Sequence, residues 1–132
     1  MRISEAVQHQ AVPADPASVV TALRQALADA GFTEYAVVDH GHDMAAAGAP
    51  GHVAWTLVFG NPAAGAKLLD KDPAAAIDIP LRLAVIGAAG GTSEIILRDM
   101  RSLLAPGLEP LADAMTGALQ TLVDRATATA GH

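Results

Sequence analysis

The feature that most limits how this chain can fold is a pair of helix starts set between two apolar runs, within residues 56–86. Thr56-Leu57-Val58-Phe59 is apolar and rich in β-formers, which marks a buried strand. Gly60-Asn61-Pro62 ends it, because Asn61 is a good N-cap and Pro62 suits the first helical position. The strand therefore hands over directly to a helix holding residues 63–69. Asp72-Pro73 repeats the device, and residues 74–77 supply one helical turn before Pro80 opens a second strand over 81–86. Two short helices are thus pinned between two strands.

The flanking sequence supplies the remaining elements. Residues 3–12 alternate, with Ile3, Glu5, Val7, His9 and Ala11 on one face, and Gln8-His9-Gln10 gives this strand the look of a sheet edge. Asp15 caps and Pro16 starts a helix on which Val19, Val20, Leu23, Leu27 and Ala30 recur at helical spacing until Gly31 stops it. Residues 33–40 read as a strand running into the polar corner Asp39-His40-Gly41-His42-Asp43, and Asp43 is expected to cap a short helix over 44–47. Residues 48–51 turn the chain toward the strand that ends at Phe59. The glycine run over 87–91 makes a hairpin between strand 81–86 and strand 94–98. Its spacing fits neither a dinucleotide fingerprint nor a Walker loop. Residues 101–106 are transitional. Pro110 opens a last helix striped by Leu111, Met115, Ala118, Leu119, Leu122 and Val123, with fraying expected over 127–132.

Five strands and two long helices in the order β-α-β-β-β-β-α make an α+β fold, a mainly antiparallel five-stranded sheet with helices packed on one face. With 132 residues, 52% of them apolar, a single domain over 1–132 is expected, including a C-terminal helix at about 110–126. In strand 81–86 both faces are apolar, so something must cover the face that the helices leave open. A second copy of the chain is the simplest cover, and a homodimer is expected.

The order Asp39-His40, then Phe59-Gly60-Asn61-Pro62, then Asp78-Ile79-Pro80-Leu81 resembles a bacterial family called domain of unknown function 302. That family's signatures are an Asp-His pair ending a strand, a Phe-Gly-Asn-Pro turn and a Leu-Pro strand start, where Ile79 here replaces the usual leucine. The resemblance spans about residues 20–98. It implies the same β-α-β-β-β-β-α fold and a tendency to dimerise, and it carries no settled activity.

Charge and composition exclude several functions. Fourteen acids against eight bases give a net charge of −6, and the bases are scattered singly, so nucleic acid has no electrostatic footprint. Phe32, Tyr35, Trp55 and Phe59 are the only aromatics, too few for base-stacking platforms. No window approaches a membrane span of about 20 residues. The absence of cysteine removes disulfides, thiolate metal sites and cysteine nucleophiles, and a cytoplasmic protein is expected. Ser4, Ser18, Ser93 and Ser102 lack a nucleophile-elbow context.

Two motifs remain as candidate sites. His40-Gly41-His42 in extended conformation would set both imidazoles on one side, and a flanking carboxylate or His52 would complete a metal site. A left-handed Gly41 would splay the rings, and neither a metal nor a cofactor is expected. At Gly60-Asn61-Pro62, a helix start with Lys67 one to two turns on offers N–H groups to an anion. If the two strand ends lie side by side, Asp39, His40, Asn61 and Lys67 form one corner for a small polar or anionic ligand. No catalytic residue is assigned. The alternatives are an enzyme using His40 as general acid or base, with or without a metal, and an interaction module whose motifs only build turns.

Overall fold

The computed structural model describes residues 7–99 and 108–130. Its strands are β1 (Val7–Val12), β2 (Thr33–Asp39), β3 (Ala54–Gly60), β4 (Leu81–Gly87) and β5 (Ser93–Arg98). Its helices are α1 (Pro16–Asp29), α2 (His40–Ala46), α3 (Pro62–Lys71) and α4 (Glu109–Ala130), with 3-10 turns at Pro73–Asp78 and Ala89–Gly91. All pairings are antiparallel, in the order β1-β5-β4-β3-β2. The fold is therefore α+β with an antiparallel five-stranded sheet, and β1 is an edge strand. The stretches 3–6 and 101–106 considered above lie outside the described residues.

Local chemistry explains the helix starts. The Asp15 carboxylate accepts from the Ser18 N–H at 3.1 Å and from the Ser18 hydroxyl at 2.7 Å, and these bonds hold its pKa below the usual aspartate value. Gly31, at φ +83°, closes α1 in the left-handed region that favours glycine. Asp72 accepts from the Ala74 N–H at 3.1 Å and opens the 3-10 turn that precedes β4.

The two long helices pack together on one face of the sheet. Leu57 and Phe59 of β3, Leu81, Leu83 and Val85 of β4, and Ile95 and Leu97 of β5 are buried beneath them with Val19, Leu23 and Leu27 of α1 and Leu119, Val123 and Ala126 of α4. Phe59 is fully buried and meets the edge of Phe32 with ring centroids 5.4 Å apart. Ser93, the buried polar residue of this layer among the described residues, donates to the Ala14 carbonyl at 2.6 Å, whereas the Thr116 hydroxyl on α4 is buried without a hydrogen-bond partner. Thr56, Val58, Ala84, Ile86, Glu94 and Ile96 alternate onto the opposite face and are only half-buried.

Two details differ from the sequence reading. The short helix after β2 begins at His40, not at Met44, and its cap is Asp39 in place of Asp43. In α4 the helix continues to Ala130, past the expected fray point at Thr127, because Ala126 and Ala130 still pack on the core.

Removing the Phe59 ring deletes the largest fully buried side chain. Phe59→Ala is expected to lower unfolding free energy by about 3–5 kcal/mol in urea melts. A loss under about 1 kcal/mol would show that the helices do not close over this residue.

Candidate functional site

The antiparallel register of β2 and β3 separates the two sequence motifs. Asp39 lies opposite Trp55 at the start of β3, whereas Thr33 lies opposite Gly60 at its end. Asn61 is thus six residues from the Asp39 end, or about 20 Å of extended chain. The single corner expected from Asp39, His40, Asn61 and Lys67 does not exist, because ends of consecutive antiparallel strands point in opposite directions.

At the first end, Asp39 is a structural cap. Its Oδ1 accepts from the His42 N–H at 3.0 Å. The His40 ring lies 2.7 Å, Nε2 to Oγ1, from the Thr56 hydroxyl, so its partner is a neutral group on the open sheet face instead of an orienting carboxylate. Gly41 sits in the first turn of α2 without a positive φ, so the extended His-x-His geometry is replaced by helix, where residues two apart face in different directions. Glycine is required there by close approach: a Cβ on Gly41 would run into the His52 carbonyl. Among the described residues no group of three or more His, Asp or Glu side chains is placed to hold a metal ion.

At the other end, Asn61 caps α3 through two bonds to Oδ1, from the Ala63 N–H at 3.1 Å and the Ala64 N–H at 3.2 Å. These bonds orient the amide, with its oxygen toward the helix and its NH₂ turned away. Asn61 lines a cleft of about 610 Å³ between α3, the 3-10 turn before β4, the end of the sheet and the first half of α4. Its walls are Phe32, Tyr35, Pro62, Ile79, Leu111, Met115 and Ala118 among other apolar residues. Lys67 is exposed on α3 and does not line it.

Tyr35 reaches this cleft through a register irregularity. Glu34 pairs with Phe59 and Ala36 with Val58, so Tyr35 is the extra residue of a β-bulge, a device that re-aims a side chain. Its ring lies against Gly60, where a Cβ would come within 3.1 Å of Tyr35 Cε2, closer than ordinary van der Waals contact. The glycine of the Phe59-Gly60-Asn61-Pro62 turn thus makes room for the cleft wall. Tyr35, read from the sequence only as a strand residue, lines the cleft together with Leu111 and Met115 of the α4 stripe, which also pack against the buried clusters; no local sequence signal separates cleft wall from core there.

A family model described as "Domain of unknown function DUF302" matches residues 8–126. The chain belongs to this family. The match extends beyond the three DUF302 motifs at both ends and takes in β1, α1 and most of α4. Among solved structures, the crystal structure of an uncharacterized conserved DUF302 protein from Bacillus stearothermophilus superposes with a TM-score of 0.84 at 19% identity, covering 92% of this chain and 98% of that one. At that identity the likeness shows the fold. A search of curated proteins found no match. Among the described residues no helix is long and apolar enough to cross a membrane.

Asn61 as a cap gives a direct expectation. Asn61→Ala should cost about 1 kcal/mol of stability and Asn61→Asp close to none, since aspartate caps as well as asparagine. Urea midpoints of the three proteins check this, and an unchanged Asn61→Ala midpoint would mean that α3 does not depend on its cap.

Proposed function

We propose that this DUF302 domain is a small-molecule-binding module and that its ligand occupies the cleft beside Asn61. The cleft carries the reading. Its volume of about 610 Å³ falls within the roughly 300–1,000 Å³ of small-molecule sites, and its pairing of apolar walls with few polar groups is the composition such sites have. The polar or anionic ligand expected at a shared corner gives way to one that matches apolar walls. His40, at the far end of β2, has no place in that site. A cysteine-free chain suits a reducing compartment, and we place the domain in the cytoplasm.

Saturable binding of Nile red, a neutral apolar dye, tests the reading. Wild-type protein should bind one equivalent with enhanced fluorescence. Ala118→Trp, which places an indole in the cleft from an exposed helix position, should weaken binding at least tenfold without unfolding the domain. Absent binding, or equal binding by the variant, would count against the cleft.

The open sheet face supports a second reading, self-association. Leu83 pairs with Leu97, so Arg82 and Arg98 occupy neighbouring positions on that face, and both are exposed. Like charges side by side on adjacent strands disfavour the sheet unless opposite charge faces them. Glu94 lies four residues from Arg98 along β5, on the same face, with half-buried Ile96 between. A second copy packed face to face with its strands reversed would set its Glu94 over the two arginines and its Ile96 over Ile96. Sedimentation at micromolar concentration should therefore find a dimer. Glu94→Arg should dissociate it, and adding Arg82→Glu and Arg98→Glu to that variant should restore it. A monomeric wild-type protein would refute this packing.

A further inference from the structure

We infer that the cleft selects an uncharged, largely apolar ligand bearing one hydrogen-bond acceptor, such as a ketone, ester or amide carbonyl, and that Asn61 is the group that reads it. The inference rests on the small-molecule reading of the cleft and adds the chemical class.

Charge is excluded by what the walls contain. Among the described residues no Asp, Glu, Lys, Arg or His lines the cleft, so a carboxylate or ammonium placed there would be desolvated without a counter-ion from them. The start of α3 does not supply one, because Asn61 Oδ1 already takes the Ala63 and Ala64 N–H groups. An anion at this helix end would have to displace the cap.

Asn61 is then specific in one direction. With Oδ1 held by two helix N–H groups, the NH₂ is the half of this cleft-lining amide left for a ligand, and it can only donate. An acceptor gains from this arrangement, and a hydrocarbon does not. Among the described residues Tyr35 is the other wall residue with a polar side-chain group, and its hydroxyl serves as donor or acceptor, so it adds no preference against a carbonyl.

Three probes of equal chain length separate the possibilities: a medium-chain methyl ketone, the corresponding alkane and the corresponding fatty-acid carboxylate, each measured by displacement of Nile red. Measured against the ratio of their partition coefficients from water into hydrocarbon, which allows for dehydration of the carbonyl, the ketone-to-alkane affinity ratio should be about three- to tenfold higher, the range expected for one hydrogen bond, and the carboxylate should bind most weakly. Asn61→Asp keeps the cap but removes the donors, so it should bring the ketone-to-alkane ratio back to the partition value. A carboxylate that binds as tightly as the ketone would overturn the inference, as would a ketone-to-alkane ratio that Asn61→Asp does not alter. The ratio in the wild-type protein is decisive on its own should the variant fail to fold. If Nile red itself does not bind, the small-molecule reading falls. If it binds and the ketone-to-alkane ratio only equals the partition ratio, that reading stands and the acceptor specificity falls.

Discussion

The antiparallel pairing of β2 with β3 is the constraint on which the rest of the molecule depends. It sends the chain's two polar corners to opposite ends of the sheet, each with a different fate. At the Asp39 end, the chain turns at once into α2, and the carboxylate and the imidazole are both engaged by near neighbours. At the Asn61 end, β3 hands over to α3, which stands off from α4 and leaves a cleft between them. Function, on this account, follows from which corner remains open.

The same pairing fixes how the faces of the sheet are used. Residues of β3 alternate between Leu57 and Phe59, under the long helices, and Thr56 and Val58, on the opposite side. The helices cover one face, as apolar periodicity in α1 and α4 requires. The other face keeps isoleucines and valines half-buried beside Arg82, Arg98 and Glu94. Apolar residues and charges of both signs thus share that face.

Much of this was legible in the sequence where local chemistry decides structure. Asp15-Pro16, Asn61-Pro62 and Asp72-Pro73 each name a helix start because cap and proline act within one turn, and all three are caps in the structure. The β4–β5 hairpin was legible for the same reason, since Gly90 and Gly91 take the positive φ that their turn needs. Asp39 and Asp43 were harder to rank. Both are competent caps, and glycine at position 41 argues locally against helix; the tertiary approach of the His52 carbonyl, invisible in sequence, is what requires it. The shared corner of Asp39, His40, Asn61 and Lys67 failed through a similar gap. Adjacent strands suggested adjacent ends, but only the sense of the pairing tells which ends meet. Leu111 and Met115 do pack on buried clusters and Tyr35 does lie in a strand, but periodicity marks such positions without saying whether the space beside them is filled.

The central claim is that the functional end of the sheet is the Asn61 end. Amide chemical-shift mapping on isotopically labelled protein titrated with a neutral medium-chain ketone tests it most directly. The account predicts saturable shifts confined to Gly60, Ala64, Gly65, Met115 and their neighbours along the cleft, with Asp39, His40 and Thr56 unmoved. Shifts clustered at His40, His42 and Thr56, with the cleft silent, would contradict it.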